Sequence, residues 1–200
     1  MQDLFEAKAK DWDANDRRTK LASAISASIL EHVKLDDRMS VLDFGAGTGL
    51  ISARIAPLVN QVVALDTSKA MLEKLKSKPE LKAKVDTVCQ DLLDTPLDAR
   101  FDLIVSAMAM HHVENTSRLI DRFAQHLNDS GTVALADLDK EDGSFHPADT
   151  EGVFHFGFDR AGLGELLQSH GFEQIEFITA HTINGEEKDY PVFLVTARKA

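Results

Sequence analysis

The sequence predicts a doubly wound α/β fold, in which a mostly parallel sheet ends in an antiparallel hairpin and carries helices on both faces. Three observations predict it. Strand-like and helix-like segments alternate over most of the chain, as they do in parallel sheets. The strands read as continuous apolar runs, such as Leu103-Ile104-Val105, which is typical of strands covered on both faces. Two final strand-like runs flank Asn184-Gly185, a dipeptide that favours a hairpin turn.

The elements follow one another in a regular order. An amphipathic helix comes first, because Leu21, Ile25 and Ile29 recur every four residues on one face. Strands are predicted at 41–44, 61–65, 84–89, 101–106, 132–138, 173–182 and 190–197, and further helices at 50–56, 68–77, 116–127 and 159–170. Residues 139–157 lack periodicity and predict a long loop, a kind of segment that often carries function.

Composition and charge exclude several classes of partner. The 33 Asp and Glu against 22 Lys and Arg give a net charge of −11, which repels phosphate backbones and anionic lipid, so we expect no nucleic-acid partner. Cys89 is the single cysteine and cannot form an intramolecular disulfide. No segment has the apolar length of a signal peptide core or a membrane span. We therefore expect a cytoplasmic protein, and nothing in the sequence indicates its oligomeric state.

The segment Asp43-Phe44-Gly45-Ala46-Gly47-Thr48-Gly49 lies where the first predicted strand becomes a helix. Glycines there permit backbone angles closed to other residues and let a ligand approach the main chain, while the following helix offers free N–H groups. An acid that binds ribose hydroxyls is expected at the end of the next strand, and Asp66 is there. The alternative is that Asp66 only caps the next helix.

A third acid, Asp91, follows the third predicted strand. Successive parallel strands bring their carboxyl ends to one edge of the sheet, so we expect Asp43, Asp66 and Asp91 to line one crevice, the place where α/β sheets bind ligands. Taken alone, Asp91 also fits a residue that starts a loop.

Leu42 to Gly49 resembles the first motif of class I S-adenosylmethionine-dependent methyltransferases, whose form is acid-x-Gly-x-Gly-x-Gly. The resemblance extends from Trp12 to the last strand and is nearest to the small-molecule branch, similar to the ubiquinone and menaquinone biosynthesis type. It implies a Rossmann-like, seven-stranded sheet, S-adenosyl-L-methionine as cofactor, and methyl transfer to a small-molecule acceptor. The length of 200 residues fits one domain over residues 1–200. The resemblance implies residues 1–36 as an N-terminal cap or lid, the alternative being that they only cover the sheet, and residues 139–157 are expected to form the acceptor-site loop.

The resemblance also implies roles for individual residues. The Gly45 to Gly49 turn would meet the methionine part of the cofactor with Asp43 near its amino group, and Asp66 would hold the ribose hydroxyls. Asp91 would bind the adenine amino group. The full set of implied cofactor residues is Asp43, Gly45, Ala46, Gly47, Gly49, Asp66, Thr67, Met71, Asp91, Leu92 and Ser106. Read from the residues alone, Met71 is equally well a core residue of a helix.

Histidines are the candidates for a general base, since their ordinary pKa lies near working pH. His111 and His112 follow the fourth strand, and His146 and His155 lie in the long loop. Methyl transfer needs a base only where the acceptor must lose a proton, and much of the catalysis comes from positioning. We expect His111 first and His155 second as catalytic residues, the alternative being that they only pack or cap. No spacing resembles a known metal site, so no metal is expected.

Acceptor and function stay open to alternatives. The segment after the fourth strand lacks an Asn-Pro-Pro-Tyr type signature, which in the resembled family speaks against amino groups of DNA bases or glutamine as acceptors. Phe154, Phe156 and Phe158 fit either an acceptor pocket or a small hydrophobic cluster. The alternative functions are an NAD-dependent oxidoreductase on a Rossmann fold and a non-catalytic cofactor-binding module of methyltransferase type.

Overall fold

The predicted alternation is confirmed by the computed structural model of the protein, which describes residues 3–147 and 150–200. The strands are β1 Ser40–Phe44, β2 Gln61–Asp66, β3 Val85–Cys89, β4 Phe101–Ala107, β5 Leu127–Leu138, β6 Phe172–Asn184 and β7 Asp189–Lys199. The helices are α1 Glu6–Ala9, α2 Asp16–His32, α3 Ser52–Ile55, α4 Lys69–Lys76, α5 Thr116–His126 and α6 Arg160–Ser169.

The seven strands form one sheet in the order β3-β2-β1-β4-β5-β7-β6. Strands β1 to β5 pair in parallel, whereas β7 runs antiparallel to both β5 and β6. The predicted hairpin is therefore confirmed. The direction of winding reverses between β1 and β4, and at such a switch point a crevice opens at the carboxyl ends of the strands.

The core consists of two hydrophobic clusters, one on each face of the sheet. Val41 belongs to one cluster and Leu42 to the other, because successive side chains of a strand point to opposite faces. Ile25 of α2 packs in the first cluster and Phe123 of α5 in the second, and neither is more than 1% exposed. Burying a side chain of this size stabilises the fold by about 1.5–3 kcal/mol. Both faces are thus covered, as the apolar strands predict.

Two elements differ from the sequence prediction. Helix α3 is only four residues long and continues as a single 3-10 turn at Ala56–Leu58, because Pro57 has no N–H to extend the helix. Strand β5 begins at Leu127 rather than at residue 132, with a register shift against β4 and a positive φ of 61° at Ser130. The rest of the predicted elements agree in type and lie within a few residues of the observed bounds. In the part of the chain that the structure describes, every helix is too short or too polar to span a bilayer.

Candidate active site

The turn that follows β1 is built by glycines with positive φ, which are 69° at Gly45, 54° at Gly47 and 81° at Gly49. The Gly45 N–H donates to the Leu65 carbonyl at 2.9 Å, which fixes the turn against the end of β2. A Cβ added to Gly45 would lie 2.3 Å from Cβ of Ala109, whereas one added to Gly47 would meet nothing within 4 Å. The turn is therefore packed on one side and has open space beside Gly47.

Asp43 lies beneath this turn. Its side chain is only 1% exposed, and its carboxylate accepts a hydrogen bond from the Ser52 hydroxyl at 2.6 Å. Burial raises the pKa of Asp43 to about 6; the Ser52 hydrogen bond opposes this shift, and the nearby Asp66 carboxylate adds to it. A buried carboxylate is retained at a cost in stability, so its charge is a candidate for function.

Asp66 ends β2 and faces the same turn. Its carboxylate accepts the N–H of Gly47 at 2.7 Å and the N–H of Ser68 at 2.8 Å. Burial raises the pKa of Asp66, and these two N–H donors partly offset the shift. A carboxylate has about four lone-pair sites. The bonds to Gly47 and Ser68 leave part of this capacity unused, so Asp66 anchors the turn and is a candidate acceptor for hydroxyl groups of a ligand.

The remaining predicted cofactor residues lie around this crevice with different exposures. Asp91 follows β3 half-buried, and its carboxylate accepts the Leu93 N–H at 2.7 Å, as a residue that starts a turn does. Met71, Leu92 and Ser106 are at most 2% exposed, Ala46 is 9% exposed, and Thr67 is exposed. The Ser106 hydroxyl is buried without a hydrogen-bond partner within residues 3–147 and 150–200.

An N-terminal segment, residues 3–14, crosses the crevice and holds both of its sides. At one end, the Asp3 carboxylate accepts the Ser68 hydroxyl at 2.9 Å and the Ala70 N–H at 3.3 Å. At the other end, the Asp13 carboxylate accepts the Thr48 hydroxyl at 2.5 Å. Asp3 therefore attaches the segment to the start of α4, and Asp13 attaches it to the glycine turn.

Lys78 completes the second attachment. Its ammonium group lies 2.8 Å from the Asp13 carboxylate and donates to the Thr48 carbonyl at 2.7 Å. Helix α2 has a different role, since Leu21 and Ile25 bury against the sheet. Of the predicted cap at residues 1–36, the part that reaches the crevice is residues 3–14; residues 1 and 2 lie outside the described residues.

Beyond the crevice, a buried carboxylate holds His111. The Asp137 side chain accepts Nδ1–H of His111 at 2.7 Å and the backbone N–H of the same residue at 3.2 Å. Asp137 is fully buried and His111 is 2% exposed. Sequence reasoning missed Asp137. The available signal was an acid that ends an apolar strand run, the same placement that identified Asp43.

His111, His112 and His146 form a histidine cluster. The Nε2 atoms of His111 and His146 lie 3.3 Å apart, and Nδ1–H of His112 donates to the Gly152 carbonyl at 2.6 Å. Burial and the neighbouring His111 lower the pKa of His112 to about 4, and the same two causes lower the pKa of His146. The Phe5 ring of the N-terminal segment packs edge-on against His112 at 5.3 Å.

The loop at 139–157 folds back onto this cluster, although residues 148 and 149 lie outside the described part. Its two ends meet, because the N–H of Lys140 donates to the Phe158 carbonyl at 3.0 Å. The N–H groups of Phe154 and His155 both donate to the His111 carbonyl, at 3.0 and 3.2 Å. The loop and the N-terminal segment therefore both contact the histidine cluster, the first through the His111 carbonyl and the second through the Phe5 ring.

His155 lies apart from the histidine cluster. Its Nε2 atom is 3.0 Å from the Val113 carbonyl, 3.2 Å from the Glu114 carbonyl and 3.1 Å from the Thr116 hydroxyl. Because carbonyl oxygens only accept, Nε2 carries the proton and tethers the loop to the start of α5. The His155 backbone therefore contacts His111, but its imidazole is directed to the start of α5 and not to the histidine cluster.

The aromatic run in the loop divides into two kinds of residue. Phe158 is buried in the second core cluster, whereas Phe154 and Phe156 are 52% and 54% exposed. Neither alternative from the sequence describes all three rings. Within residues 3–147 and 150–200, no three His, Cys, Asp or Glu side chains converge in a way that would hold a metal ion.

Residues 41–131 match the family model described as a methyltransferase domain. Among curated proteins, the chain is 33% identical over 157 residues to an uncharacterized methyltransferase of Schizosaccharomyces pombe, covering 70% of this chain and 55% of that protein. It is 32% identical over 141 residues to an uncharacterized methyltransferase of Bacillus licheniformis, covering 67% of this chain and 65% of that protein. The chain thus spans only part of the length of these curated relatives.

A solved structure shares the whole fold. The DhpI–SAH complex superposes with a TM-score of 0.76 at 21% sequence identity, and the superposition covers 99% of this chain and 95% of that one. At this identity the likeness establishes the fold. The Rossmann-like architecture expected from the sequence is confirmed, including the antiparallel β6–β7 end of the sheet.

Proposed function

The chain belongs to the class I S-adenosylmethionine-dependent methyltransferases, and from that premise we propose that it binds this cofactor in the crevice at the carboxyl ends of strands β1 to β3 and methylates a small-molecule acceptor. The observation that carries the proposal is the glycine turn. It leaves open space beside Gly47 and lies in contact with the Asp66 carboxylate, which retains unused lone pairs. A ligand with adjacent hydroxyls and a charged amino acid portion fits such a site.

The proposed cofactor roles follow from burial and position. Asp66 would accept the ribose hydroxyls, and Asp91, at the end of the neighbouring strand, would meet the adenine amino group. Asp43 is too buried to be an open ligand, so we assign it the role of a negative charge beneath the turn, near the cofactor's amino group. Ser106, whose buried hydroxyl has no hydrogen-bond partner among the described residues, supplies a polar group at the end of β4.

When bound, the cofactor would supply a methyl group that its positively charged sulfur activates towards displacement by an acceptor's lone pair. The chain's own residues have the remaining tasks. The N-terminal segment covers the crevice and excludes water, which strengthens the electrostatic interactions inside. His111, fixed by Asp137, belongs to the proton-handling groups beside the space for the acceptor.

Three features support a small acceptor rather than a macromolecule. Residues 3–14 and the loop at 139–157 both contact the histidine cluster, through the Phe5 ring and through the N–H groups of Phe154 and His155, so in this proposal the acceptor binds beneath them. The net charge of −11 opposes nucleic acids. The segment Ser106-Ala107-Met108-Ala109 has no Asn-Pro-Pro-Tyr signature. In this proposal Phe154 and Phe156 line the outer entrance, and His155 holds the loop in place.

Calorimetric titration with S-adenosylhomocysteine, using NAD as the control ligand, tests the cofactor assignment. We expect micromolar binding of the first ligand and none of the second; binding of NAD alone would indicate an oxidoreductase. Transfer of tritium from labelled S-adenosylmethionine to 3,4-dihydroxybenzoate, 2-mercaptoethanol and histamine then samples oxygen, sulfur and nitrogen acceptors. Cofactor binding without transfer to any acceptor in a wider screen of this kind would favour a non-catalytic module.

A further inference from the structure

The Asp137, His111 and His146 side chains form a continuous hydrogen-bonded chain from strand β5 to the half-exposed loop residue His146. Asp137 and His111 are buried, and both ring nitrogens of His111 are engaged, Nδ1 by Asp137 and Nε2 by His146. His146 is only half-buried, and its Nδ1 atom has no hydrogen-bond partner within residues 3–147 and 150–200. His111 therefore has no nitrogen left for an acceptor, whereas His146 has one.

We propose that His146 is the catalytic base that contacts the acceptor, and that His111 and Asp137 are positioning residues behind it. The inference rests on the proposed function, because it names the residue that takes the acceptor's proton during methyl transfer. It changes the expectation from the sequence, in which His111 had that role.

The proton positions follow from the chain itself. The Asp137 carboxylate only accepts, so His111 carries its proton on Nδ1 and leaves Nε2 as a lone pair. The facing Nε2 of His146 must then donate, which leaves Nδ1 of His146 as a lone pair. Asp137 also accepts the Leu138 N–H at 2.8 Å. Each hydrogen bond in the chain is satisfied by one tautomer of each ring, and that tautomer leaves a basic nitrogen at the half-exposed end of the chain, on His146.

The proton that the acceptor loses can be followed through Nδ1 of His146 to water. As the acceptor's electron pair forms its bond to the methyl carbon, the acceptor's proton moves to Nδ1 of His146 and makes the ring an imidazolium. The positive charge strengthens the hydrogen bond from Nε2 of His146 to His111, and the buried Asp137 carboxylate stabilises it through His111. Because His146 is half-exposed, the proton then leaves from Nδ1 to water and the ring returns to its starting tautomer.

The surroundings of His146 keep the ring neutral and in place. Burial and His111 lower the pKa of His146, while Glu141 and Asp137 oppose the shift and Lys8 adds to it. The Glu141 carboxylate accepts the N–H groups of Gly143 and Ser144, each at 2.8 Å, which fixes the turn before His146. The ring also packs edge-on against Phe145, with centroids 4.8 Å apart.

Nitrogen-15 NMR of the labelled full chain tests the inference without knowledge of the acceptor. Two-bond couplings report the tautomer of each histidine ring. We expect His111 protonated on Nδ1 and His146 protonated on Nε2, with His146 losing its single tautomer in Asp137→Asn and in His111→Gln. His146 protonated on Nδ1, or insensitive to both variants, would overturn the inference. So would displacement of the His111 and His146 signals by one equivalent of Zn²⁺, which would indicate a metal site.

A kinetic test uses an acceptor to which tritium is transferred in the screen described above. We expect His146→Ala to lower kcat by about 100-fold or more, the range of general base catalysis, with S-adenosylhomocysteine affinity within twofold of wild type and partial rescue by added imidazole. His32→Ala, at an exposed histidine that only bonds the Ser28 carbonyl, is the matched control. Full activity in His146→Ala would refute the assignment. Failure of S-adenosylhomocysteine to bind wild type would instead refute the proposed function, and the tautomers would remain readable.

Discussion

The two halves of the candidate site are assembled in different ways. The cofactor half is nearly contiguous in sequence, since Asp43 and Asp66 lie on two successive strands that pair side by side and the glycine turn directly follows the first of them. The acceptor half draws on β4, β5, the loop at 139–157 and the N-terminal segment, and its central contact joins His111 to a residue 35 positions away. Local pattern therefore identifies the first half, whereas the second half exists only after the chain has folded.

This difference also has an energetic side. In the cofactor half, Asp66 combines a structural and a proposed binding role, since it accepts the Gly47 N–H and is proposed to bind the ligand. In the acceptor half, the tasks are divided among Asp137, His111 and His146. Substitutions in the first half should therefore alter stability and binding together, and substitutions in the second half should separate them.

The largest expected effect lies in the cofactor half, at Asp66→Ala. Two hydroxyl groups of the ligand would lose a charged acceptor, and such hydrogen bonds contribute about 1.5–3 kcal/mol each, so S-adenosylhomocysteine should bind about 100-fold or more weakly by calorimetry. Asp86→Ala, an exposed acid on β3, is the control and should leave the dissociation constant unchanged. Equal affinity in the two variants would remove Asp66 from the cofactor site.

The glycine turn offers a matched pair. Gly45→Ala should destabilise the fold by about 3 kcal/mol or more, because a positive φ strains a non-glycine residue by about 1–2 kcal/mol and the new Cβ would overlap Ala109. Gly47 also has a positive φ, but a Cβ added there would meet no described atom within 4 Å. Gly47→Ala should therefore lose only the stability that corresponds to the strained φ, about 1–2 kcal/mol. Urea unfolding at neutral pH measures both. Equal losses of unfolding free energy in the two variants would mean that Ala109 moves to accommodate the new Cβ at little cost.

Asp43→Asn tests whether the buried charge opposes stability. Because the folded pKa of about 6 lies above the ordinary value of 3.8, the folded form binds the proton more tightly than the unfolded chain. Stability from this group is therefore present below about pH 4 and is lost as pH rises towards 6, by on the order of 3 kcal/mol. Asparagine cannot titrate. Relative to Asp43→Asn, wild type should lose that stability between pH 4 and pH 7 in urea unfolding.

A control keeps this measurement specific. Asp94→Asn removes an exposed carboxyl near the same edge of the sheet and should show the wild-type dependence on pH. If Asp43→Asn also followed the wild-type curve, the charge beneath the turn would not be the source of the loss.

The smallest expected effect concerns the N-terminal segment that joins the two halves. Asp13→Ala removes the partner of Thr48 and Lys78, a half-exposed contact of about 1 kcal/mol, so S-adenosylhomocysteine should dissociate about fivefold faster. Trp12 is the only tryptophan of the chain and lies in this segment, so its fluorescence reports the rate. Asp11→Ala is the neighbouring control, and identical rates in the two variants would show that the Asp13 contact does not retain the ligand.

The sequence by itself determined the fold class, the glycine turn and the acids at the strand ends. Each is encoded locally: φ angles that only glycine adopts easily, strands that are continuous apolar runs, and Asp66 at a fixed distance along the chain. It also indicated the Asn184-Gly185 hairpin, because turn chemistry depends on a few adjacent residues.

Only the tertiary structure decided how the acceptor half is arranged. No local pattern specifies that Asp137 meets His111, that His146 rather than His155 joins them, or that Asp3 and Asp13 attach the N-terminal segment across the crevice. These contacts depend on strand order and on how two loops pack, which are set by the burial of the whole core. A histidine's neighbours, and hence its tautomer and basicity, are properties of that packing and not of its place in the chain.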